Sequence, residues 1–194
     1  MKQLKWITMG LIFGLLVSLK SYAQGVKPRL SAEVDPATFG MKGYSLHLRL
    51  QPAKSEHILM GLGTYAMNMP DLIVNFNKAN KDQGWGVRIR QGYSLFGEYY
   101  FSEVNDCWFV GSQVGMQQFK LSREEVADKT TFTNWLAMGY FGYSWKLFDS
   151  HFYLKPWAGV GYTSKVSGSE RLGDALYDIA PVTMFATFHV GYTF

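Results

Sequence analysis

The amino-acid sequence predicts an all-β protein, a single eight-stranded antiparallel up-and-down transmembrane β-barrel. Three observations predict it. Apolar and polar residues alternate over long runs, the connections between these runs alternate between short and long, and 16% of the 194 residues are aromatic. Alternation with a period of two is typical of a strand with two different faces. An even number of strands brings both ends of the barrel to the same side, as in bacterial barrels.

The predicted strands are runs of alternation bounded by turn residues. They lie at 28–35, 40–51, 56–67, 85–101, 107–121, 130–146, 151–166 and 182–194. The first is the weakest, because Leu30, Ala32 and Val34 are its only apolar markers. The last is the clearest, because apolar residues occupy every second position from Val182 to Phe194.

The connections between these strands fall into two sets. Short turns are expected at 51–55, 102–106 and 147–150, and long loops at 68–84, 122–129 and 167–181, with 35–39 as a shorter member of the second set. All short turns then lie at one end of the barrel and all long loops at the other. In a transmembrane barrel the short turns face the periplasm and the long loops face outside.

The N-terminal segment predicts export. Residues 1–23 combine Lys2 and Lys5, an apolar run over 7–19 and small residues at Ser21 and Ala23, the pattern of a cleaved signal peptide. The apolar run is shorter than the roughly 20 residues of a membrane-spanning helix. We therefore expect a cleaved segment at 1–23 and a barrel at 24–194.

Charge and cysteine content exclude several classes of protein. The full chain has a formal net charge of +4, but the signal peptide carries three lysines and no acid, so the mature chain is near +1. No block of Lys and Arg remains to suggest a nucleic-acid partner. A single cysteine excludes an intramolecular disulfide framework.

The polar face of the alternating strands carries charged residues and histidines. The apolar face points inward in a soluble barrel and outward in a membrane barrel, and alternation alone does not say which. The polar face carries too much charge for the core of a lipocalin-like barrel, and aromatic residues cluster at the strand ends as in membrane girdles. We therefore expect a polar network in the lumen, formed by Glu33, His47, Arg49, Arg88, Arg90, Glu98, Lys155 and His189. The expected girdle residues are Trp85, Tyr99, Tyr100, Phe101, Trp108, Phe109, Tyr143, Trp145, Tyr192 and Phe194. Eight strands enclose a space that side chains just fill, so the network either plugs the lumen or lines a gated ion path.

The C-terminal strand carries the most specific motif. Phe188, Val190, Tyr192 and the terminal Phe194 occupy alternate positions. This pattern resembles the C-terminal signal that the barrel assembly machinery recognises in bacterial outer-membrane barrels. Together with the signal peptide and eight strands, the chain resembles the small OmpA/OmpX-type barrels. The resemblance implies a Gram-negative outer-membrane location and is nearly silent on activity.

Two further sites are candidates for chemistry or recognition. His47, His151 and His189 share the inward parity, and Ser45 lies two residues from His47, but scattered histidines favour hydrogen-bonded lumen residues over a metal or catalytic site. The outer-membrane lipid A deacylase has a His-x-Ser pattern, which the segment after His189 lacks.

The loop at 68–84 is expected to contain a short helical turn that either covers the barrel mouth or binds a partner. Its candidate residues are Pro70, Asp71, Leu72, Ile73 and Phe76.

The sequence thus predicts a non-enzymatic outer-membrane barrel with a structural or interaction role, such as membrane integrity or binding through the loops. The alternatives are an outer-membrane enzyme acting on lipid A or phospholipid, and a small transporter of apolar ligands. Expected partners are outer-membrane lipid, lipopolysaccharide and the barrel assembly machinery, with the chain as a monomer. No cofactor and no metal are predicted.

Overall fold

The computed structural model describes residues 27–124 and 126–194, so the predicted signal peptide lies outside the described residues. Eight strands build the wall: β1 (Arg29–Val34), β2 (Tyr44–Gln51), β3 (Ile58–Asn68), β4 (Trp85–Tyr100), β5 (Trp108–Arg123), β6 (Val126–Tyr143), β8 (Phe152–Gly168) and β11 (Val182–Thr193). Three short strands lie in the connections: β7 (Trp145–Lys146), β9 (Arg171–Leu172) and β10 (Ala175–Leu176). Two short helices, α1 (Pro36–Gly40) and α2 (Asp71–Val74), follow β1 and β3.

The wall strands form a closed antiparallel ring in chain order. Each pairs with its neighbour in sequence, β6 pairs with β8, β8 with β11, and β11 returns to β1. The closing pair is short, since only four residues of β1, Ser31 to Val34, oppose Val190 to Thr193 of β11. The prediction of an eight-stranded antiparallel up-and-down barrel is confirmed. No helix in the described part of the chain is long and apolar enough to cross a membrane.

The polarity of the barrel is inverted relative to a soluble protein. Every wall strand contributes an apolar side chain that is at least half exposed: Leu30, Leu48, Leu62, Leu95, Val114, Phe141, Val160 and Met184. These residues form what we call the apolar belt. Charged side chains lie inside. The two-residue period of the strands produces this division, because alternate side chains point to opposite faces of the sheet.

A register shift in β4 changes which residues face inward. The pairing of β4 with β5 slips between Ile89 and Gln91, and a single extra residue exchanges the two faces of a strand. Trp85, Val87 and Ile89 are therefore buried on the inner side, whereas Tyr93 is 62% exposed. Unbroken alternation along the sequence placed all four on one face, so that expectation is wrong for the first half of β4.

The expected loop at 122–129 is a hairpin instead. Strands β5 and β6 continue pairing up to Arg123 and Val126. Their extension packs inward-facing side chains into an apolar cluster that also receives α2 and β9, and that we call the loop-end cap: Val74, Trp85, Val87, Leu121, Phe132 and Leu172. Burial of this cluster stabilises strands that the local sequence, rich in Lys, Glu and Asp, does not favour.

Several aromatic residues expected in the girdles lie inside the barrel. Tyr100 and Phe109 are 0% and 1% exposed and stack on each other near the end that carries the tight turns. Trp85 is in the loop-end cap. Tyr99 and Trp108, next to these residues in sequence, do face outward, at 47% and 55% exposure. The position of aromatic residues near strand ends therefore overestimated how many of them face outward.

Helix α1 takes the place of the upper half of β1. After Val34 the chain turns into α1, where Asp35 caps the helix by accepting a hydrogen bond from the Ala37 amide. As a result, residues 182–189 of β11 pair with β8 but with no strand on their other edge within the described chain. The Thr187 hydroxyl donates to the Asp35 carboxylate at 2.9 Å and ties this edge to α1.

Candidate functional site

The centre of the barrel interior is an ion network built on two carboxylates. Glu33 on β1 accepts hydrogen bonds from Arg49 Nε at 3.0 Å, from the Tyr153 hydroxyl at 2.8 Å and from Lys155 Nζ. The side chains of Glu33, Arg49 and Lys155 are at most 1% exposed. Each ionised group thus has its partners in place, as burial of charge requires.

Glu98 on β4 is the second carboxylate. It lies 3.2 Å from Lys155 Nζ and 3.4 Å from Arg49 Nη1. Two tyrosine hydroxyls donate to it, Tyr140 at 2.9 Å and Tyr100 at 3.1 Å. Two carboxylates and two cations share the interior, so the network of these four groups carries no net charge.

Two inward-facing glycines make room for these side chains. A Cβ at Gly191 would lie 2.2 Å from the Tyr153 ring, and one at Gly61 would lie 2.6 Å from the Arg49 side chain. Gly191 opposes Glu33 across the β1–β11 pair, and Gly61 opposes Arg49 across the β2–β3 pair. Both contacts are closer than any side chain allows, so glycine at these positions is a condition for the network.

The two inward histidines have different surroundings. His189 donates from Nδ1 to Glu33 at 2.9 Å and accepts at Nε2 from the Trp157 indole N–H at 3.2 Å. His47 lies edge-on to His189, with ring centroids 4.6 Å apart, and neither of its ring nitrogens has a hydrogen-bond partner among the described residues. His151 is elsewhere, exposed at the tight-turn end beside the Thr193 carbonyl.

Ligand atoms of Glu33, His47 and His189 lie within 4.8 Å of one another, as a metal site would need. The surroundings disfavour a cation. Arg49 and Lys155 already neutralise Glu33, and both nitrogens of His189 are engaged. A divalent ion here would have to displace these partners and face two buried cations. The arrangement is that of a hydrogen-bonded network.

Two of the residues expected in the lumen network are outside it. Arg88 lies on the outer side at the loop end, where it donates to Asn68 Oδ1 at 2.6 Å and to the Lys42 carbonyl at 3.1 Å. Arg90 is exposed. The register shift in β4 explains both positions, because even-numbered residues before the shift point outward whereas Glu98, after the shift, points inward.

Ser45 and His47 do not form a nucleophile and base pair in this structure. Ser45 Oγ accepts a hydrogen bond from the Asp35 amide at 2.5 Å, while the ring of His47 has no hydrogen-bond partner in the described chain. His47 packs instead against Phe96, with centroids 5.1 Å apart. A nucleophile needs its base within hydrogen-bond reach.

The connection at 68–84 covers the barrel mouth, and Val74 and Asn80 hold it there in place of the expected Leu72 and Phe76. Val74 is 3% exposed in the loop-end cap, whereas Leu72 and Phe76 are 81% and 73% exposed. Pro70 precedes α2, and Asp71 and Ile73 lie within it. Asn80 exchanges two hydrogen bonds with Asp178 across the neighbouring loop, at 2.7 and 2.9 Å.

Burial against the loop-end cap raises the pKa of Tyr177. Tyr177 packs on Trp85, with ring centroids 5.5 Å apart, and desolvation together with the charge of Asp178 raises the pKa of Tyr177 to about 12. Its hydroxyl is therefore neutral at any physiological pH.

The C-terminal motif lies on the outer face of β11. Phe188 and Phe194 are 40% and 71% exposed, and Val190 and Tyr192 are partly exposed. Tyr192 packs edge to face with Phe194, with ring centroids 5.2 Å apart. The alternation read from the sequence thus places His189 and Gly191 inside and the motif residues outside.

Sequence reasoning missed the tyrosines that complete the network. Tyr100, Tyr140 and Tyr153 each give a hydroxyl to Glu33 or Glu98. Their parity was the available signal, because Tyr153 is two residues before Lys155 and Tyr100 two after Glu98.

Comparison with known proteins adds little to this geometry. No protein-family model matches the chain, and no curated protein matches it. Among solved structures, the chain is similar to the N-terminal β-barrel domain of Pseudomonas aeruginosa OprF, with 12% sequence identity and a TM-score of 0.49. The match covers 88% of this chain and 100% of that domain.

Proposed function

We propose that this chain is an outer-membrane β-barrel with a structural or interaction role, anchored in the bilayer by its belt and closed to ions by its internal network. The inverted polarity carries the proposal. Glu33, Arg49 and Lys155 are buried inside, and all eight wall strands expose apolar side chains. A continuous apolar exterior of this kind is unfavourable in water and favourable in lipid.

The height of the belt supports this placement. The outward-pointing residues of β8 from Phe152 to Tyr162, and of β11 from Val182 to Tyr192, include no charged residue. A strand of eleven residues rises about 34 Å, which at a tilt of about 40° spans about 26 Å of bilayer. That is close to the apolar band of known transmembrane barrels.

The filling of the interior supports closure. The ion network occupies the middle of the lumen, and an apolar cluster of Leu59, Phe96, Tyr100, Val104, Phe109 and Tyr140 fills it toward the tight turns. Opening an ion path would separate buried charges from their partners, which costs several kcal/mol per ion. We therefore expect the chain to conduct no steady current.

The loop end supplies the interaction surface. Leu72 and Phe76 expose apolar side chains at the tip of the connection that covers the barrel mouth. In the proposed orientation they face outward from the cell, toward lipopolysaccharide or a protein partner. The C-terminal motif would serve earlier, in recognition by the barrel assembly machinery.

Two measurements test the proposal. The chain refolded into phosphatidylcholine vesicles should migrate differently on gels before and after boiling, as closed barrels resist detergent unfolding, and the same vesicles fused to a planar bilayer should show no steady channel. An unshifted band would refute the membrane barrel, and large steady conductance would refute the plugged interior.

A further inference from the structure

Two cavities lie between the ion network and the loops. The first, of about 90 Å³, has mainly apolar walls that include Ile89, Leu136 and Met138, with His47 at its edge. The second, of about 260 Å³, lies beneath α2. Met69, Phe119 and Thr183 line both, so the two cavities adjoin.

The second cavity reaches the outside of the barrel. Its walls include Val182 and Met184, whose side chains point outward and are 58% and 61% exposed. They also include Asn134 and Thr163, which point inward and are 1% and 8% exposed. The cavity is therefore lined from both faces of the wall, and it lies at the upper part of β11, where 182–189 have a strand partner on one edge only within the described chain.

The cavity holds a polar group without a partner. Asn134 Nδ2 donates to the Thr163 hydroxyl at 3.1 Å, and that hydroxyl donates onward to the Trp135 carbonyl at 2.9 Å. Asn134 Oδ1 is left with no hydrogen-bond partner among the described residues. Buried acceptors are nearly always satisfied, so this oxygen calls for a donor from outside the chain.

The walls indicate what carries that donor. Leu72, Ile73, Phe76, Ile179 and Met184 are apolar, and the opening faces the same medium as the apolar belt, which in the proposed placement is lipid. Asn77, Asn80, Thr163 and Asp178 also line this cavity, but they already hydrogen-bond to one another, to Asn134 or to the main chain, so water would find few free polar partners on its walls. An alkyl chain would pack against these apolar walls, and a hydroxyl or amide N–H on that chain would donate a hydrogen bond to Asn134 Oδ1.

We propose that the two cavities form a binding site for a single-chain amphiphile, which enters from the membrane beside β11 and donates a hydrogen bond to Asn134 Oδ1. This inference rests on the membrane placement proposed above. Leu72, Ile73 and Phe76 then form the outer wall of the site, so α2 is the segment that the ligand has to pass.

Photolabelling tests the site directly. The refolded chain in phosphatidylcholine vesicles is irradiated with a decanol that carries a diazirine in its alkyl chain, and the labelled residues are mapped by mass spectrometry. We expect saturable labelling of Met69, Phe119 and Thr183. Unlabelled 1-decanol should compete roughly three- to tenfold better than decane, the value of one hydrogen bond.

Two variants separate the hydrogen bond from the space. Asn134→Leu removes the acceptor at similar size, so the advantage of 1-decanol over decane should disappear while saturable labelling persists. Thr183→Trp fills the junction of the cavities and should abolish saturable labelling. Val160→Trp, on the outer face of β8, is the matched control and should label like the wild type.

Heat-modifiable migration of each sample distinguishes the possible failures. An unshifted wild-type band would refute the membrane barrel itself. A folded wild type that is labelled only on the apolar belt, without saturation, would overturn the binding site alone. Equal competition by decane and 1-decanol, or an unchanged preference in folded Asn134→Leu, would overturn the role of Asn134.

Discussion

The two halves of the barrel interior are filled in different ways. Toward the tight turns, paired charges and stacked rings pack around Glu33, Glu98 and Tyr100, and the cavity of about 280 Å³ at this end has charged and polar walls that include Arg29, Asn105 and Asp149. Toward the loops, mainly apolar walls enclose two cavities, and the ring nitrogens of His47 and the Oδ1 of Asn134 have no hydrogen-bond partner among the described residues. In the first half both buried carboxylates accept hydrogen bonds from several donors, which rigidifies a fold, while Arg49 Nη1 and Ser144 Oγ make no hydrogen bond with the described residues. The second half differs in that its cavities have mainly apolar walls with a few polar groups, as sites for small organic ligands do.

The largest effect is expected from breaking the ion network. Glu33→Gln leaves Arg49 and Lys155 with a single carboxylate between them, and we expect a loss of about 3–5 kcal/mol in the free energy of unfolding. Urea unfolding in vesicles measures it. Adding Lys155→Met to Glu33→Gln should recover part of the loss, because it removes one uncompensated cation. A Glu33→Gln variant as stable as the wild type would show that the network does not hold this half together.

The next effect concerns the belt that surrounds both halves. Ala158→Arg places a charge near the middle of the outward stretch of β8 from Phe152 to Tyr162, and we expect a loss of about 2–4 kcal/mol on folding into vesicles. Thr131→Arg, exposed on β6 beyond the belt toward the loops, is the control and should cost about 0–1 kcal/mol. Equal costs at the two positions would contradict the depth assigned to the belt.

A smaller effect is expected from crowding the network without changing its charge. Gly191→Ala forces a methyl group against the Tyr153 ring, and we expect a loss of about 1–3 kcal/mol in the same unfolding measurement. The combination of Gly191→Ala with Tyr153→Leu removes the ring that is in the way. If the double variant lost as much free energy of unfolding as the two single variants together, the contact between the added methyl group and the Tyr153 ring would not be the cause of the loss.

In the loop half, a substitution is expected to change the stability of one connection and not that of the whole barrel. Val74→Ser places a hydroxyl in the loop-end cap and should make the connection at 69–84 more sensitive to protease, while the unfolding of the barrel changes little. Leu72→Ser, in the same helix but exposed, should leave the protease sensitivity unchanged. A loss of barrel stability in Val74→Ser would mean that the two halves unfold as one unit.

The smallest effect is expected at the tight-turn surface. Lys146 donates to Glu103 at 2.5 Å, and this hydrogen bond, with the charge of Lys146, lowers the pKa of Glu103. A carboxylate whose pKa is lowered on folding contributes stability above its ordinary pKa, and that contribution is lost as the pH falls through its lowered value. Because both groups are exposed, Lys146→Met should cost about 0.5 kcal/mol at neutral pH and less in high salt. Titration of Glu103 by NMR checks it, and an unchanged pKa in Lys146→Met would contradict the pairing.

The sequence by itself determined the strand pattern and the sign of the two faces. Alternation put Leu48 and Leu62 on one face and His47, Arg49 and Lys155 on the other, because a period of two needs only local backbone geometry. The charges on the second face then assigned it to the interior. Alternation also placed the C-terminal motif and His189 on opposite faces of β11. Where the backbone stays regular, parity can be read directly from the residues.

Only the tertiary structure decided the exceptions. The register shift in β4 moved Arg88 and Arg90 out of the lumen, and the loop-end cap turned the expected loop at 122–129 into paired strands. Tyr153 and Glu33, 120 residues apart, meet because the ring closes and Gly191 leaves room between them. Within the described residues, the upper part of β11 has an edge without a strand partner because α1 follows β1 where that strand would otherwise continue. Each of these depends on contacts between distant strands, whose energies no local pattern contains.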